Sequence, residues 1–218
     1  FTRGLEESPV APDVALNRDE APPAILTRQY DAGLRWAAAP GTRLVAGLFD
    51  VEKPYFNLDS ARLYRRLGEV RHRGAEISLT SALTPNLDIV AGAVLLDARV
   101  LGEAVDAGLI GERPVGSTGR TILLSAEYRP PGIDRFSLDA SINSYGSRIA
   151  NIDNSLEVPP AELVNLGLRY SRDVAGAPMT FRVLLVNVLD QYVWDVRASN
   201  AFFYNAPRHL VVRVTSDL

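Results

Sequence analysis

The chain has 218 residues, 47% of them apolar, and 26 acidic against 23 basic side chains, for a formal net charge of −3. That length supports one sizeable core or two small ones, and the slight acidity argues against nucleic acid as a partner. Cysteine is absent and the two histidines, His72 and His209, lie far apart, so neither a disulfide, a protein-built metal centre nor a resident cofactor is expected. Lys53 is the sole lysine. Arginine, the residue suited to bidentate contacts with carboxylate and phosphate, carries the rest of the positive charge. The sequence opens on Phe1 with no charged-then-apolar leader, and the chain reads as a piece of a longer protein. It contains no run of about 18 apolar residues, which excludes a membrane-spanning helix and leaves open a barrel, whose strands alternate.

Turn signals fall at Ala39-Pro40-Gly41-Thr42, Thr84-Pro85-Asn86, Pro130-Pro131-Gly132-Ile133-Asp134 and Ala175-Gly176-Ala177-Pro178. Their spacing of roughly 45 residues indicates a repeated supersecondary unit. Between them run longer, more polar stretches: Ser8–Ile25, Asp59–Gly68, Glu103–Gly116, Asn151–Glu162 and Arg197–Asn205. Short turns at one end and long loops at the other are how up-and-down outer-membrane barrels are built.

In chain order, Trp36 stands just before the first short turn. Counting up from Arg43 beyond that turn places Tyr55 at the outer interface facing lipid and Phe56 facing inward. The stretch Arg71-His72-Arg73-Gly74-Ala75-Glu76-Ile77-Ser78-Leu79 joins a basic run to an alternating one. Counting back from Leu83, the residues Leu79, Ile77 and Ala75 face lipid. At about 2.5 Å of height per tilted residue, Arg73 sits about 25 Å above the turn, where hydrocarbon ends. Arg71 and Arg73 then point into the headgroup layer, where lipid phosphates are natural partners, while His72, Gly74 and Glu76 face the lumen.

Further along, Ile122, Leu124, Ala126 and Tyr128 alternate with polar neighbours, as do Phe136, Leu138, Ala140 and Ile142, and then Val164, Leu166, Leu168 and Tyr170. Trp36, Tyr128, Phe136, Tyr170 and Phe181 each lie within a few residues of a short turn and share the apolar parity of their strands. A ring of aromatics at one level is the pattern of an interfacial girdle, which Tyr55 matches at the other rim.

Several stretches together resemble the barrel of the TonB-dependent siderophore receptors. They are Arg28–Trp36 (RQYDAGLRW), Gly68–Leu79 (GEVRHRGAEISL), Ala91–Val100 (AGAVLLDARV), Gly111–Gly116 (GERPVG), Val186–Trp194 (VNVLDQYVW) and Asn205–Val214 (NAPRHLVVRV). The resemblance covers almost the whole chain. It implies an all-β antiparallel up-and-down transmembrane barrel segment, residues 1–218 forming about ten C-terminal strands of a 22-stranded barrel. The family's plug domain and TonB box would lie outside this chain. It further implies an outer-membrane protein of a Gram-negative bacterium that imports a ferric siderophore, with its own plug domain, TonB and outer-membrane lipid as partners. Cobalamin, haem or a glycan are alternative cargoes. Barrels of this kind usually finish on an aromatic; Leu218 stands there instead, in parity with Leu210, Val212 and Val214.

No catalytic arrangement is present: no Gly-x-Ser-x-Gly, no glycine-rich dinucleotide loop and no histidine pair at metal spacing. Binding and transport are the expected activities. Residues that parity points inward near the outer rim are Phe56, His72, Tyr145, Trp194 and Phe203, aromatic and basic groups that suit the flat surface of an iron chelate. The competing reading is that they pack against loops or the plug. His72 reads as a hydrogen-bonded lumen residue, since the iron would arrive already chelated. Arg62, Arg65 and Arg66 could attract an anionic chelate or simply pair with loop acids such as Asp59. Asp13, Asp19 and Glu20 read as surface solvation. A soluble β-propeller repeats at a similar period and is the rival fold, though only two long runs fit each repeat where a blade needs four short strands. A simple porin would fit the strands without the family stretches.

Overall fold

The computed structural model describes residues 1–7 and 10–216; Leu218 lies outside the described residues. The strands are β1 (Thr2–Glu6), β2 (Ile25–Ala39), β3 (Thr42–Leu58), β4 (Tyr64–Thr84), β5 (Leu87–Leu101), β6 (Arg120–Tyr128), β7 (Phe136–Tyr145), β8 (Arg148–Ile149), β9 (Glu157–Val158), β10 (Ala161–Val174), β11 (Ala177–Val186), β12 (Trp194–Ala198), β13 (Ala201–Tyr204) and β14 (His209–Ser216). Among the described residues the only helix is α1 (Glu103–Asp106). Ten strands form one antiparallel sheet in the order β1-β2-β3-β4-β5-β6-β7-β10-β11-β14, while β8–β9 and β12–β13 are small hairpins within the connections. The sheet is open, with β1 and β14 at its edges. A continuous meander with strands of up to 21 residues rules out the propeller, which is built from separate four-stranded blades.

Short links join β2 to β3, β4 to β5, β6 to β7 and β10 to β11 at one end of the sheet. Between β10 and β11, Ala175 and Gly176 adopt φ of 53° and 86°, the left-handed pair that a two-residue hairpin needs to match strand twist. The long connections, residues 10–24 of the first and then 59–63, 102–119, 146–160 and 187–208, gather at the other end. One of them is shorter than its sequence suggests: β4 begins at Tyr64, and Tyr64–Gly68, expected as loop, is strand with a β-bulge in it. Tyr55 pairs with Gly68 and Phe56 with Arg66, leaving Leu67 as the extra residue. A Cβ at Gly68 would lie 2.2 Å from the Leu101 carbonyl oxygen, so the close approach of β5 requires glycine there.

The register fixes two unlike faces. One row of cross-strand neighbours runs Trp36, Leu44, Leu79, Ala91, Leu124, Ile142 and Val164 over seven strands. The oily face continues through Leu166, Leu185 and Leu210. The same face carries Leu34, Leu48 and Val212, which stand outward with nothing over them at 65%, 63% and 64% exposed. The opposite face carries ion pairs. Arg129 bridges Asp88 and Glu127, Arg169 also reaches Glu127, and Arg182 donates to both oxygens of Asp139 at 3.1 and 3.0 Å. Gly167, across from Asp139, makes room for that carboxylate; a Cβ would fall 2.2 Å from its oxygen.

Buried residues collect at the loop end instead of mid-sheet. Leu67, Val70, Val100 and Ile110 form a cluster against which Tyr55, Ala104, Val105 and Ile152 pack. Ile149, Ala150 and Val193 are each at most 2% exposed.

Two outcomes follow. Without detergent the 218-residue chain is expected to self-associate through its oily face and free edges, and a monodisperse monomer in plain buffer by light scattering would overturn the lipid-facing assignment. In the full-length protein, Leu124→Arg should cost about 2–4 kcal/mol of assembly free energy at mid-bilayer while Ser125→Arg on the polar face costs far less, measured as the folded fraction in urea titrations in liposomes.

Candidate functional site

The loop end is the part of the molecule where connections hold one another. Residues 102–119, 146–160 and 187–208 are tied by backbone hydrogen bonds: Gly111 N to Ile152 O and Gly116 N to Ile149 O, both 2.8 Å, and Asn200 N to Ala150 O, 2.9 Å. Asn154 accepts from the Arg113 N–H and donates to the Arg113 carbonyl, both at 2.8 Å, so its amide substitutes for a strand partner. Ser199 Oγ accepts from the Ile152 N–H at 3.0 Å.

Asn187, 1% exposed and at φ 53°, anchors the last of these connections. Its N–H donates to Asn165 Oδ1 at 3.0 Å, its Nδ2 to the Gln191 carbonyl at 3.0 Å, and its Oδ1 accepts from the Gln191 N–H at 3.1 Å. Asp190 Oδ1 accepts from the Arg208 N–H at 2.8 Å just before β14. The asparagine and aspartate of VNVLDQYVW thus start and close one loop.

The first two connections form a second block. Leu16 N–H donates to the Arg62 carbonyl at 3.0 Å, and the Asn17 amide brackets the Tyr64 backbone at 2.8 and 3.0 Å.

Within the first block, β7 turns Tyr145 to the polar face, opposite Thr121 and Ala161. The Arg148 guanidinium stacks 4.8 Å from its ring and pairs with Asp195 at 2.6 Å. Asp195 also faces Arg197 at 3.7 Å, whose guanidinium lies 5.4 Å from the Phe203 ring. Tyr145 and Phe203 are therefore joined through Arg148, Asp195 and Arg197. Trp194 belongs to the other face of the β12–β13 hairpin, paired with Tyr204 where Asp195 pairs with Phe203. It meets Tyr204 edge-on at 5.6 Å, and Tyr192 lies 6.1 Å from the same ring.

His72 faces the polar side between Val51 and Ala98, apart from this chain of contacts, and its ring finds no hydrogen-bond partner among the described residues, contrary to expectation. Two other expectations are reversed. Arg43 pairs with Thr80 on the polar face and Leu44 with Leu79 on the oily one, so a count begun at Arg43 carries the wrong parity. Tyr55 consequently points inward, into the cluster of Val70 and Val100, with its hydroxyl accepting from Asn57 Nδ2 at 2.9 Å. Phe56 takes the outward parity of Pro54 and Arg66, its ring 6.0 Å from that of Tyr64.

Arg71 and Arg73 do share the outward face with Ala75 and Ile77, and both grip Asp50. Arg71 makes two bonds to it, at 2.8 and 2.5 Å, and Arg73 one at 3.0 Å. Trp36, Tyr128, Phe136, Tyr170 and Phe181 stand on the oily face beside short turns, with Tyr170 4.6 Å from Phe136 and 6.2 Å from Phe181. Arg62, Arg65 and Arg66 are occupied by the Val14 carbonyl, Asp59 and Glu69 respectively. Among the described residues no three His, Cys, Asp or Glu side chains are grouped to hold a metal.

Arg148, Asp195 and Arg197 carry no periodicity signal, because β8 and β12 are short segments within loops. Their roles come from the packing of one loop on another.

The turn at Asp59 supplies a pH test. Its carboxylate accepts from the Leu63 and Ala61 N–H groups, each at 2.9 Å, and from Arg65 at 2.6 Å. The Leu63 hydrogen bond, with help from Arg65, holds the carboxyl below its ordinary range. A depressed pKa means that this contribution is present above the unfolded value of about 4 and is lost as pH falls through the folded value. Tryptic cleavage at Arg62 and Arg65 should accordingly be faster for Asp59→Ala than for the parent at pH 7.5, and equal rates would show that the carboxylate does not order the turn.

Residues 24–188 match the model of the TonB dependent receptor-like beta-barrel. The ferrichrome receptor FcuA of Yersinia enterocolitica is 27% identical over 205 residues, covering 93% of this chain and 27% of that protein. Among solved structures, BauA, the ferric preacinetobactin receptor of Acinetobacter baumannii, superposes with a TM-score of 0.79 at 26% identity, covering 99% of this chain and 33% of that one. The ferric citrate transporter FecA gives 0.73 at 18% identity over 88% of this chain and 31% of its own. The chain thus spans between about a quarter and a third of the length of these relatives. A family model matched over most of the chain and an open ten-stranded sheet that superposes on receptor barrels together make this chain a member of the TonB-dependent receptor family, within its β-barrel domain.

Proposed function

We propose that this chain is the C-terminal part of the barrel of an outer-membrane receptor that imports a ferric siderophore in a Gram-negative bacterium, by transport and not by catalysis. The observation that carries the reading is the two-faced sheet: an oily band that crosses nine strands from β2 to β14, with a polar, ion-paired face behind it and interlocked connections at one rim. Such a sheet suits lipid on one side and a plug domain or permeating cargo on the other. The names of the relatives supply the cargo class, a siderophore-bound iron.

In this reading the aromatics Trp36, Tyr128, Phe136, Tyr170 and Phe181 sit at the inner membrane interface. Arg71 and Arg73 meet outer-leaflet phosphate, with Asp50 fixing both guanidinium planes. Tyr145 and Phe203 offer aromatic faces to the chelate, oriented by Arg148, Asp195 and Arg197. His72 lines the lumen on a separate strand, and Trp194 contributes from the other side of its hairpin. Energy would arrive from TonB through the family's plug and box, which lie outside this chain.

The test is uptake of radio-iron chelates by the full-length gene product in an outer-membrane host lacking its own receptors, with and without TonB. Uptake of one chelate that requires TonB is the expected result. A correctly inserted protein that takes up no chelate would end the siderophore reading and move the cargo to cobalamin, haem or a glycan. Phe203→Ala should then raise the half-saturating concentration several-fold with little change in maximal rate, as expected for a ground-state contact.

A further inference from the structure

The last long connection closes a recess that the receptor reading does not use. Its two arms, after β11 and before β14, meet where Asp190, Gln191 and Tyr192 lie against Tyr204, Asn205 and Pro207 around a cavity of about 240 Å³. Both arms are pinned. Asp190 Oδ1 accepts from the Arg208 N–H at 2.8 Å, the Gln191 side-chain oxygen accepts from the Glu162 N–H at 3.0 Å, and the Asn205 N–H donates to the Val193 carbonyl at 2.9 Å. The Gln191 backbone is held on both sides by the Asn187 amide. The recess is therefore built into the fold and does not depend on a ligand to form it.

Its lining combines aromatic faces with uncharged polar groups. Tyr192 and Tyr204 are 79% and 60% exposed, with ring centroids 6.1 Å apart and planes tilted by 39°, so they form one bent platform with no room for a further ring between them. Trp194, nearly perpendicular to Tyr204 at 5.6 Å, braces that ring. Around the platform, both tyrosine hydroxyls, the Asn205 side-chain amide and Gln191 Nε2 have no hydrogen-bond partner among the described residues. The recess carries no net charge, since the Asp190 carboxylate is answered by the Arg208 guanidinium at 3.9 Å. Such a lining selects a ligand with an apolar face and a rim of neutral donors and acceptors. A pyranose ring has both: axial C–H bonds stand off its faces and hydroxyls off its edge. A volume below the roughly 300–1,000 Å³ of drug-sized sites suits one such ring and is small for a ferric chelate. The recess also lies on the Tyr204 side of the β12–β13 hairpin, whereas Asp195 and Phe203 belong to the other.

We propose that this recess is a carbohydrate subsite, separate from the chelate contacts, that stacks one pyranose ring on Tyr192 and Tyr204 and hydrogen-bonds its hydroxyls through Gln191 and Asn205. The ring belongs to a soluble oligosaccharide or to the core of an outer-leaflet glycolipid, which present the same face to the protein. A single neutral ring binds weakly, because it exchanges hydrogen bonds with water for hydrogen bonds with protein and gains only the stacked area. A glycolipid held in the same membrane offsets that weakness through its high local concentration. The subsite stands on the geometry of the connection, and the receptor reading contributes only the membrane beside it.

The experiment uses the full-length protein in lipid nanodiscs and reads saturation-transfer NMR with three soluble probes: methyl α-glucopyranoside, N-acetylglucosamine and the core oligosaccharide released from lipopolysaccharide. Transfer to the ring C–H protons of at least one probe is expected. Tyr192→Ala and Tyr204→Ala should each weaken that binding by about 3- to 10-fold, the worth of one aromatic contact, while Tyr204→Phe, which keeps the ring, retains most of it. Iron-chelate uptake by Tyr192→Ala should match that of the parent, and loss of both activities together would overturn the separation of the two sites. A second set of nanodiscs contains intact lipopolysaccharide. Suppressed transfer to the soluble core there assigns the sugar to the glycolipid, and undiminished transfer assigns it to a soluble glycan. No transfer to any probe, or transfer indifferent to both alanine substitutions, would overturn the subsite and leave the receptor reading intact. A parent that takes up no chelate yet binds sugar would end the receptor reading and leave the subsite standing.

Discussion

A sheet with a broad apolar band across one face needs something apolar against it, and the remainder of this structure follows from what that can be. Soluble β proteins cover such a face with a second sheet or with helices. Here the described helix is four residues long and the residues of the row from Trp36 to Val164 face outward uncovered. Hydrocarbon can cover it, because every strand but the two at the edges satisfies its backbone groups through neighbours on both sides. The same requirement makes β1 and β14 dependent on further strands, since an edge within a bilayer would leave N–H and C=O groups unpaired.

A single sheet with an oily face on one side and an ion-paired face on the other has no mid-sheet core to order it, and the specific packing lies elsewhere. It is concentrated where connections cross one another above the sheet, and it relies on amide side chains. Asn154 and Asn187 each donate and accept at once, which an aspartate could not do at neutral pH without losing its donors. Their amides replace the ladder partners that irregular backbone lacks. Small apolar residues such as Val100, Ala150 and Val193 then fill the space beneath. Tyr145, at the end of β7, and Phe203, in the last long connection, are joined through this scaffold by Arg148, Asp195 and Arg197.

Alternation made the strands and their faces legible in the sequence, and the short turns were legible through Pro, Gly and Asn. Parity counted from Leu83 placed Leu79, Ile77, Ala75, Arg73 and Arg71 on one face, where the register puts them. Counting from Arg43 failed because an arginine next to a turn was given the oily parity of its neighbour Leu44, and the error propagated to Tyr55 and Phe56. A period-2 pattern has no internal check on a single-residue slip, so the starting residue decides everything. The bulge at Leu67–Gly68 was hidden for a related reason: GEV and RRLGEV look equally like loop and strand. The union of Tyr145, Arg148, Asp195, Arg197 and Phe203 joins segments about 50 residues apart through contacts between irregular connections, and no local periodicity encodes it.

The overall charge of −3 conceals two opposite tendencies that the fold separates in space. At the upper edge of the oily band, Asp50 is shared by Arg71 and Arg73, so one carboxylate answers two guanidiniums and a positive charge is left over there. Above it, the connections hold more carboxylate than they neutralise. An arginine whose plane is fixed by a carboxylate on one side still presents N–H donors on the other, which is the arrangement that favours a bound phosphate over a mobile cation. The alternation of the strands thus decides what each face of the barrel wall presents, and Asp50 sets how Arg71 and Arg73 are held at the upper edge of the oily one.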